Sequence, residues 1–417
     1  MAELSIANLS DLFIEQFGPG SFNTYDTSFP LTALSKKTFG WVGKNFTDYV
    51  PLSQGGGVGT NSGSGIIPQA NNWLADQMTI TPIESLSVVK IARDAIYAGK
   101  GDGSFKESMP EIVRRGVLNF ARNAERQLMG NGDGELGIID TGGVTDNGGG
   151  EYEVVITAAS FLEAKWEEGD YVNVESGSTD LFEVTAVVSS TRTVTLQRIA
   201  GSQVPADADE IFMQGSEGND MFGLEQCILN FTSGSLYGIP YQRRWSSELK
   251  DANGAVLSVE LLDEVFQKIH TKTGEAPDLV LVSPTQWRLL KSVFEGLKRY
   301  EQTRVMPRFS EPKKQADLMR RAESGALQLG FEAITYTSPF GSAPIISSRW
   351  VKNDTAYVLN RNFIKIMHRD GFGWHKEDNT VFLREAGKTN YEARYGGNMN
   401  ASIIPTFHGA IYDLATS

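Results

Sequence analysis

The 417-residue sequence predicts an α+β fold assembled from several parts. Three observations predict it. One long amphipathic helical stretch lies near 109–129. A run of short alternating β-segments, separated by turn residues, fills 152–213. The remainder mixes helical and extended periodicities. Hydrophobic residues at 40% and charged residues at 21% are ordinary for a globular protein, so a sizeable core is available. The 43 glycines cluster, which predicts long turns and loops.

The first segment carries Leu9, Leu12, Phe13 and Phe17 at helical spacing, stopped by Gly18-Pro19-Gly20. It then runs to about Lys36 without periodicity, as an arm that needs a neighbour to be ordered. Phe39 to Val50 reads as extended, a glycine-rich tip follows from Gly55 to Gly65, and Met78 to Tyr97 returns as a second extended run. This is a long hairpin with arms too polar to form a core alone. An eleven-residue arm would span about 36 Å, and an isolated two-stranded ribbon is marginal in water, so it implies a partner surface.

The strongest helix is expected from Met109 to Met129, with Pro110 in its first turn, where a missing N–H costs nothing. Val113, Val117, Phe120, Ala124 and Leu128 mark its apolar stripe; Arg114, Arg115, Arg122 and Arg126 lie mostly off it. Gly130 closes it and Asn131-Gly132-Asp133-Gly134 turns the chain out. Five β-segments follow: Tyr152–Thr157, Tyr171–Val174, Leu181–Val188, Thr193–Ile199 and Glu210–Met213. Their spacing is that of a small barrel or sandwich, and the glycine-rich borders Gly142–Gly150 and Gly215–Gly223 suit an inserted domain. Helices are then expected at Val259–Ile269, Pro284–Phe294 and Lys313–Ser324. Strands are expected at Leu279–Val282, Ala333–Tyr336, Pro344–Ser348, Thr355–Leu359, Phe363–His368, Val381–Ala386 and Glu392–Ala401.

Net charge is −13, which argues against a surface that wraps nucleic acid as a whole. Its distribution is uneven. Between Glu151 and Asp220 stand 14 acids against three bases, Lys165, Arg192 and Arg198, so this segment holds −11 of the total. Between Arg288 and Arg321 ten bases face four acids. The basic run with its interleaved acids reads first as a solvated helical face, and second as the place where nucleic-acid phosphates would be met. Trp287, Tyr300 and Phe309 there read as packing rather than stacking platforms.

No catalytic, cofactor-binding or metal-ligating residue is assigned, and the chain is not read as an enzyme. The glycines from 55 to 65 lack the Gly-Lys-Ser/Thr of a phosphate loop. Asn131-Gly132-Asp133-Gly134-Glu135 begins like a calcium loop, but Leu136 and Gly142 stand where glycine and glutamate are needed. His270, His368, His375 and His408 are scattered, and Cys227 is the only cysteine, which excludes an intramolecular disulfide and disfavours zinc. Glu377-Asp378 beside His375 reads as a solvated turn, and Ser283 and Ser348 lack a nucleophile elbow. The first 17 residues lack a signal-peptide pattern, and no stretch reaches the ~18 apolar residues of a membrane span.

The order of these elements resembles the Hong Kong 97 capsid fold of tailed double-stranded-DNA bacteriophages. Two stretches carry the likeness more specifically. One is Pro277-Asp278-Leu279-Val280-Leu281-Val282-Ser283-Pro284 with its Trp287 helix. The other is Ala356-Tyr357-Val358-Leu359-Asn360, leading to Phe382-Leu383-Arg384-Glu385 and then Ile403-Ile404-Pro405. The resemblance implies a major capsid protein that assembles with itself as pentamers and hexamers into an icosahedral head around the phage DNA.

It implies seven parts: an N-terminal arm (1–35), an E-loop hairpin (36–100), a peripheral-domain spine helix and exit (101–148), an inserted acidic β-domain (149–222), a peripheral return segment (223–257), an axial domain (258–369) and C-terminal peripheral strands (370–417). With no extension before an arm that begins near Leu4, a separate scaffolding protein is expected, beside a portal protein and a decoration or cement protein. DNA contact is expected to be non-specific at most, with no cofactor and no membrane. The expected location is the virion, with assembly in the host cytoplasm. An encapsulin-like compartment shell is the alternative within the fold. A hydrolase with a carbohydrate-binding β-sandwich module would need paired carboxylates in a cleft, and a tail or decoration protein would fit the long helix less well.

Overall fold

The computed structural model describes residues 31, 35–39, 43–53, 56–60, 67, 69–70, 72–91, 104–301, 334–369, 373–376, 380–381, 383–384 and 391–416. The expected arm helix at Leu9–Phe17 and the helix Lys313–Ser324 lie outside them.

The centre of the molecule is a six-stranded sheet organised by one long strand, Tyr391–Ile403. Ile83–Ile91 pairs antiparallel along one of its edges. Ile364–His368, Gly373–Trp374 and Leu383–Arg384 pair along the other, and Lys36–Phe39 adds parallel to Ile364–His368. Across this sheet lies helix α1, Ser104–Met129. Val117, Phe120, Ala121, Ala124 and Leu128 are buried beneath it, as the stripe requires, with the Phe120 ring edge-on to Tyr395 at 5.4 Å. Gly116 lets the helix approach closely, since a Cβ there would sit 2.3 Å from Val89 Cγ2.

Helix α1 begins five residues before Met109, so Pro110 falls in its second turn and forfeits the bond to the Lys106 carbonyl. A second difference concerns the arginines. Arg126 was expected off the apolar stripe, yet its side chain is 4% exposed, because the whole last turn is enclosed by the chain that returns at Asp220–Leu224.

The hairpin is shorter than the sequence suggests. Its strands are Phe46–Pro51 and Ala75–Ile80, about 20 Å each. The expected run Met78–Tyr97 is broken at Thr81-Pro82. Pro82 has no N–H to give, and the Thr81 carbonyl is taken by Asn400 Nδ2 at 2.6 Å. From Ile83 the chain then enters the central sheet opposite Met399. Likewise Lys36–Phe39 and Phe46–Pro51 are separate strands in different sheets.

Six antiparallel strands close into a barrel in the order Glu210–Met213, Glu135–Gly148, Glu151–Ile156, Thr193–Ala200, Leu181–Val188, Tyr171–Val174. Alternation fills it with Leu136, Ile139, Tyr152, Val154, Val172, Val174, Phe182, Val184, Val194, Leu196 and Ile211. Five of these strands stand where their segments were expected. The first, Glu135–Gly148, was read as exit turn and glycine-rich border. Two of its glycines serve packing: at Gly137 a Cβ would meet Ile156 Cγ2 at 2.7 Å, and at Gly143 the Asp140 carbonyl at 2.8 Å. The two ends of the barrel segment meet, for Gly223 lies so close to Gly130 that a Cβ would stand 2.1 Å from the Gly130 carbonyl. One π-turn follows, Glu225–Leu229, with Asn230 N–H donating to Glu225 O at 2.8 Å.

A second six-stranded sheet runs Glu248–Asp251, Gly409–Tyr412, Ala356–Leu359, Leu279–Val282, Gly341–Ser347, Ile334–Ser338. It draws its first two strands from outside the 258–369 range that the resemblance implied, while Ile364–His368 joins the central sheet. Helix α2, Val259–Thr273, starts on the Ser258 hydroxyl, ends at Gly274 (φ +78°) and buries Leu262, Val265, Phe266 and Ile269 against this sheet. Helix α3, Pro284–Glu301, leaves the all-buried strand Leu279–Val282.

Candidate assembly surfaces

The hairpin is buried at its root and bare toward its tip. Met78 and Ile80 are 2% and 0% exposed, and Thr79 N–H donates to Tyr237 O at 2.9 Å. Beyond them Tyr49, Val58, Ile67, Trp73 and Leu74 are 67%, 97%, 77%, 60% and 62% exposed. Leu52 and Ser53 both donate to the Leu74 carbonyl, so Trp73 and Leu74 stand on a fixed backbone. Five large apolar side chains on one projection need cover from another molecule. Sequence reasoning found the projection and missed these side chains; apolar residues in a turn-rich tip were the available signal.

Two arginines one turn apart on α1 hold the barrel. Arg122 pairs with Glu167 at 2.7 Å and Asp170 at 3.0 Å and donates to the Lys165 carbonyl at 3.1 Å. Arg126 makes a two-pronged pair with Asp220 at 2.7 and 3.1 Å, both side chains buried, and also reaches Asn123 Oδ1 at 2.8 Å. Under the barrel Lys165 donates to the Glu135 carbonyl at 3.1 Å, and Lys352 pairs with Glu225. Burial pushes the Lys165 ammonium below its ordinary pKa, against the pull of Glu225, and burial pushes the carboxyls of Glu135 and Asp170 up. The barrel therefore moves with α1 rather than swinging from it. A cleft of about 420 Å³ lies between Glu84–Val88, α1 and the barrel, and one of about 930 Å³ lies between the barrel and Pro284, Arg349 and Asn353.

The two sheets are joined by two neighbouring connections, Asn360–Phe363 and Ile404–His408. Phe363 and Phe407 stack at 3.5 Å, and Ile404 N–H donates to Phe363 O at 3.2 Å. His408 is wholly buried and its Nδ1 accepts from Asn360 N–H at 3.2 Å. Burial pushes its pKa down to about 3, so the ring is neutral.

The other residues weighed from sequence are not brought together. His270 lies on α2, His368 is buried at the end of the strand Ile364–His368, His408 is buried in the connection Ile404–His408, and His375 lies 3.9 Å from Glu84. Among the described residues no group of three or more His, Cys, Asp or Glu is placed to hold a metal ion. In the calcium-like loop Asp133 is spent on the turn itself, accepting from Glu135 N–H at 3.0 Å and Asn131 Nδ2 at 2.7 Å. Ser283 caps α3 by accepting from Gln286 N–H at 3.1 Å, and Ser348 accepts from Trp350 N–H at 3.3 Å. Cys227 is buried, pushed up to about 12 by burial, and sits 3.3 Å from the Tyr237 hydroxyl. Of the basic run, α3 presents Arg288 and Lys291 to solvent and half-buries Trp287 against the core of the second sheet and α2. The stretch 302–333 and Glu377-Asp378 lie outside the described residues.

Residues 199–380 match the model of the SU10 major capsid protein family. The match starts as the barrel strand Thr193–Ala200 ends, so most of the barrel lies before it. No curated protein matches the chain. Among solved structures it is similar to the cyanophage A-1(L) capsid asymmetric unit, with TM-score 0.51 and 11% identity over 92% of each chain. Lower similarities include a Mycobacterium phage Adephagia chain, with TM-score 0.43 and 10% identity over 93% of this chain and 90% of that one. The holo-SrpI encapsulin complex of Synechococcus elongatus PCC 7942 gives TM-score 0.43 and 7% identity over 93% of this chain and 88% of that one.

Proposed function

We propose, from the premise that this chain is a major capsid protein of the tailed-phage type, that its copies close into the icosahedral head as pentamers and hexamers through the hairpin. One observation carries the reading: the bare apolar end of the hairpin, with Trp73 and Leu74 60% and 62% exposed on a fixed backbone. A monomer gains nothing from such a projection. A ring of identical copies buries it once per subunit, and closed symmetry leaves none exposed. The domain partition follows. The hairpin is the E-loop, α1 and the central sheet form the peripheral domain, and the second sheet with α2 and α3 forms the axial domain.

The barrel is an insertion. Its ends meet at Gly130 and Gly223, so the rest of the fold closes without it. In this reading it faces outward, where its acids keep finished particles apart by repulsion. A separate scaffolding protein, a portal, a decoration protein and the packaged duplex are the partners. Assembly takes place in the host cytoplasm, before the protein enters the virion. Electron microscopy of the chain expressed with and without its candidate scaffold tests the reading. Closed shells of uniform diameter support it, and a persistent monomer with both proteins present overturns it.

A further inference from the structure

Resting on the coat-protein reading, we infer that the tight turn Gln242–Trp245 is a contact for the phosphate backbone of the packaged duplex, made by Arg243 and Arg244. The turn is closed by Trp245 N–H donating to the Gln242 carbonyl at 2.8 Å. Trp245 is fully buried and anchors it, its ring edge-on to Tyr237 at 6.4 Å. Both arginine carbonyls are tied down: Ser246 Oγ donates to Arg243 O at 3.2 Å, and Thr406 Oγ1 donates to Arg244 O at 2.6 Å. Lys272 holds Ser246 in turn, donating to its carbonyl at 2.7 Å and its hydroxyl at 3.0 Å, and pairs with Glu248 at 2.8 Å.

The backbone under the two arginines is fixed and both side chains are exposed. Six other cations of this acidic chain, Arg122, Arg126, Lys250, Lys272, Lys352 and Arg361, each hold a carboxylate. Arg243 and Arg244 hold none among the described residues, and no acid occurs between Leu236 and Ser247. Two adjacent guanidiniums on a rigid turn, in a chain of net charge −13, call for an anion from another molecule.

A protein carboxylate is the weaker fit. Protein interfaces surround such pairs with an apolar centre, and Tyr241 is the sole large apolar side chain between 230 and 250 that is notably exposed among the described residues. The hairpin, by contrast, carries five. A contact made of charge alone is what sequence-independent phosphate binding uses.

The test is anisotropy of a fluorescein-labelled 30-base-pair mixed-sequence duplex titrated with the full chain between 50 and 200 mM salt. Wild type is compared with R243Q/R244Q and with R288Q/K291Q on α3. Two lost phosphate contacts lower the slope of log K against log salt by about 1.8. Wild type therefore loses about 12-fold more affinity across that range than R243Q/R244Q does, while R288Q/K291Q tracks wild type. Equal slopes for wild type and R243Q/R244Q overturn the inference, as does competition by poly-glutamate as strong as that by unlabelled duplex. Electron microscopy of the same preparations separates the two readings. Closed shells with unchanged slopes sink only the phosphate contact, whereas wild type that never closes with its scaffold sinks the coat-protein reading itself.

Discussion

Acid should loosen the joint between the two sheets, and His408 sets the amount. Its ring is fully buried, with Nδ1 accepting from Asn360 N–H at 3.2 Å. A proton on Nδ1 turns that acceptor into a donor facing another donor. Burial depresses the folded-state pKa to about 3, against 6.5 for the ordinary side chain. The folded state therefore binds fewer protons than the unfolded chain between these values, so stability falls as pH falls through this window. Above pH 6.5 both states are neutral and the term vanishes. Below it the loss is about 1.4 kcal/mol per pH unit, reaching about 4 kcal/mol near pH 3.5 and levelling off toward pH 3. Other carboxyls titrate in the same range, so the difference between two proteins isolates the term. His408→Asn keeps an acceptor near the Nδ1 position and cannot be protonated there. Urea unfolding of wild type and H408N between pH 3.5 and 7.5 is the assay. H408N starts lower at pH 7.5 for lost packing, and the gap closes by about 4 kcal/mol on acidification. A gap that stays constant with pH refutes the reasoning.

Arg126→Met strands the buried Asp220 carboxylate and should cost about 3–5 kcal/mol, whereas R126M/D220L together should recover most of it; urea midpoints of the three proteins decide. Trp73→Ser with Leu74→Ser should leave the thermal midpoint of the unassembled chain within about 2 °C of wild type while abolishing closed shells in sedimentation, since both side chains are largely in solvent before assembly. Gly223→Ala should fail to fold to a soluble product, because its Cβ would stand 2.1 Å from the Gly130 carbonyl and 2.6 Å from that of Gln127. Gly142→Ala, with nothing within 4 Å but φ +71°, should cost only about 1 kcal/mol, measured as soluble yield and thermal midpoint.

Period-2 alternation between turn residues made the barrel strands from Tyr171 to Val188 legible, because each strand has one face inside and one in water. Leu279–Val282 was legible for the opposite reason: four consecutive apolar residues fit a strand buried on both faces. What stayed hidden was long-range. Glu135–Gly148 looked like a linker because glycine marks both flexibility and close packing, and only Ile156 above Gly137 tells them apart. Arg126 looked like a surface residue because its partner is 94 positions away. The paired strands Glu248–Asp251 and Gly409–Tyr412 are four residues each and carry no turn signal between partners so distant. At the assembly surfaces the hairpin was visible as a pattern, but Trp73 and Leu74 gained meaning only once Met78 and Ile80 were seen to be buried while they stay exposed.

The pairing pattern also sets an order in time. Every strand pairing of the barrel lies between Glu135 and Met213, so its sheet is complete once that segment has left the ribosome. The central sheet waits for Tyr391–Ile403 before Ile83–Ile91 has a neighbour, and Glu248–Asp251 waits for Gly409–Tyr412. At ~5–20 residues per second the intervening 200 or so residues take roughly 10–40 s. For that interval the nascent chain carries one finished, strongly acidic barrel amid unpaired strands of the future sheets. The repulsion proposed between finished particles would act equally between half-made ones on neighbouring ribosomes.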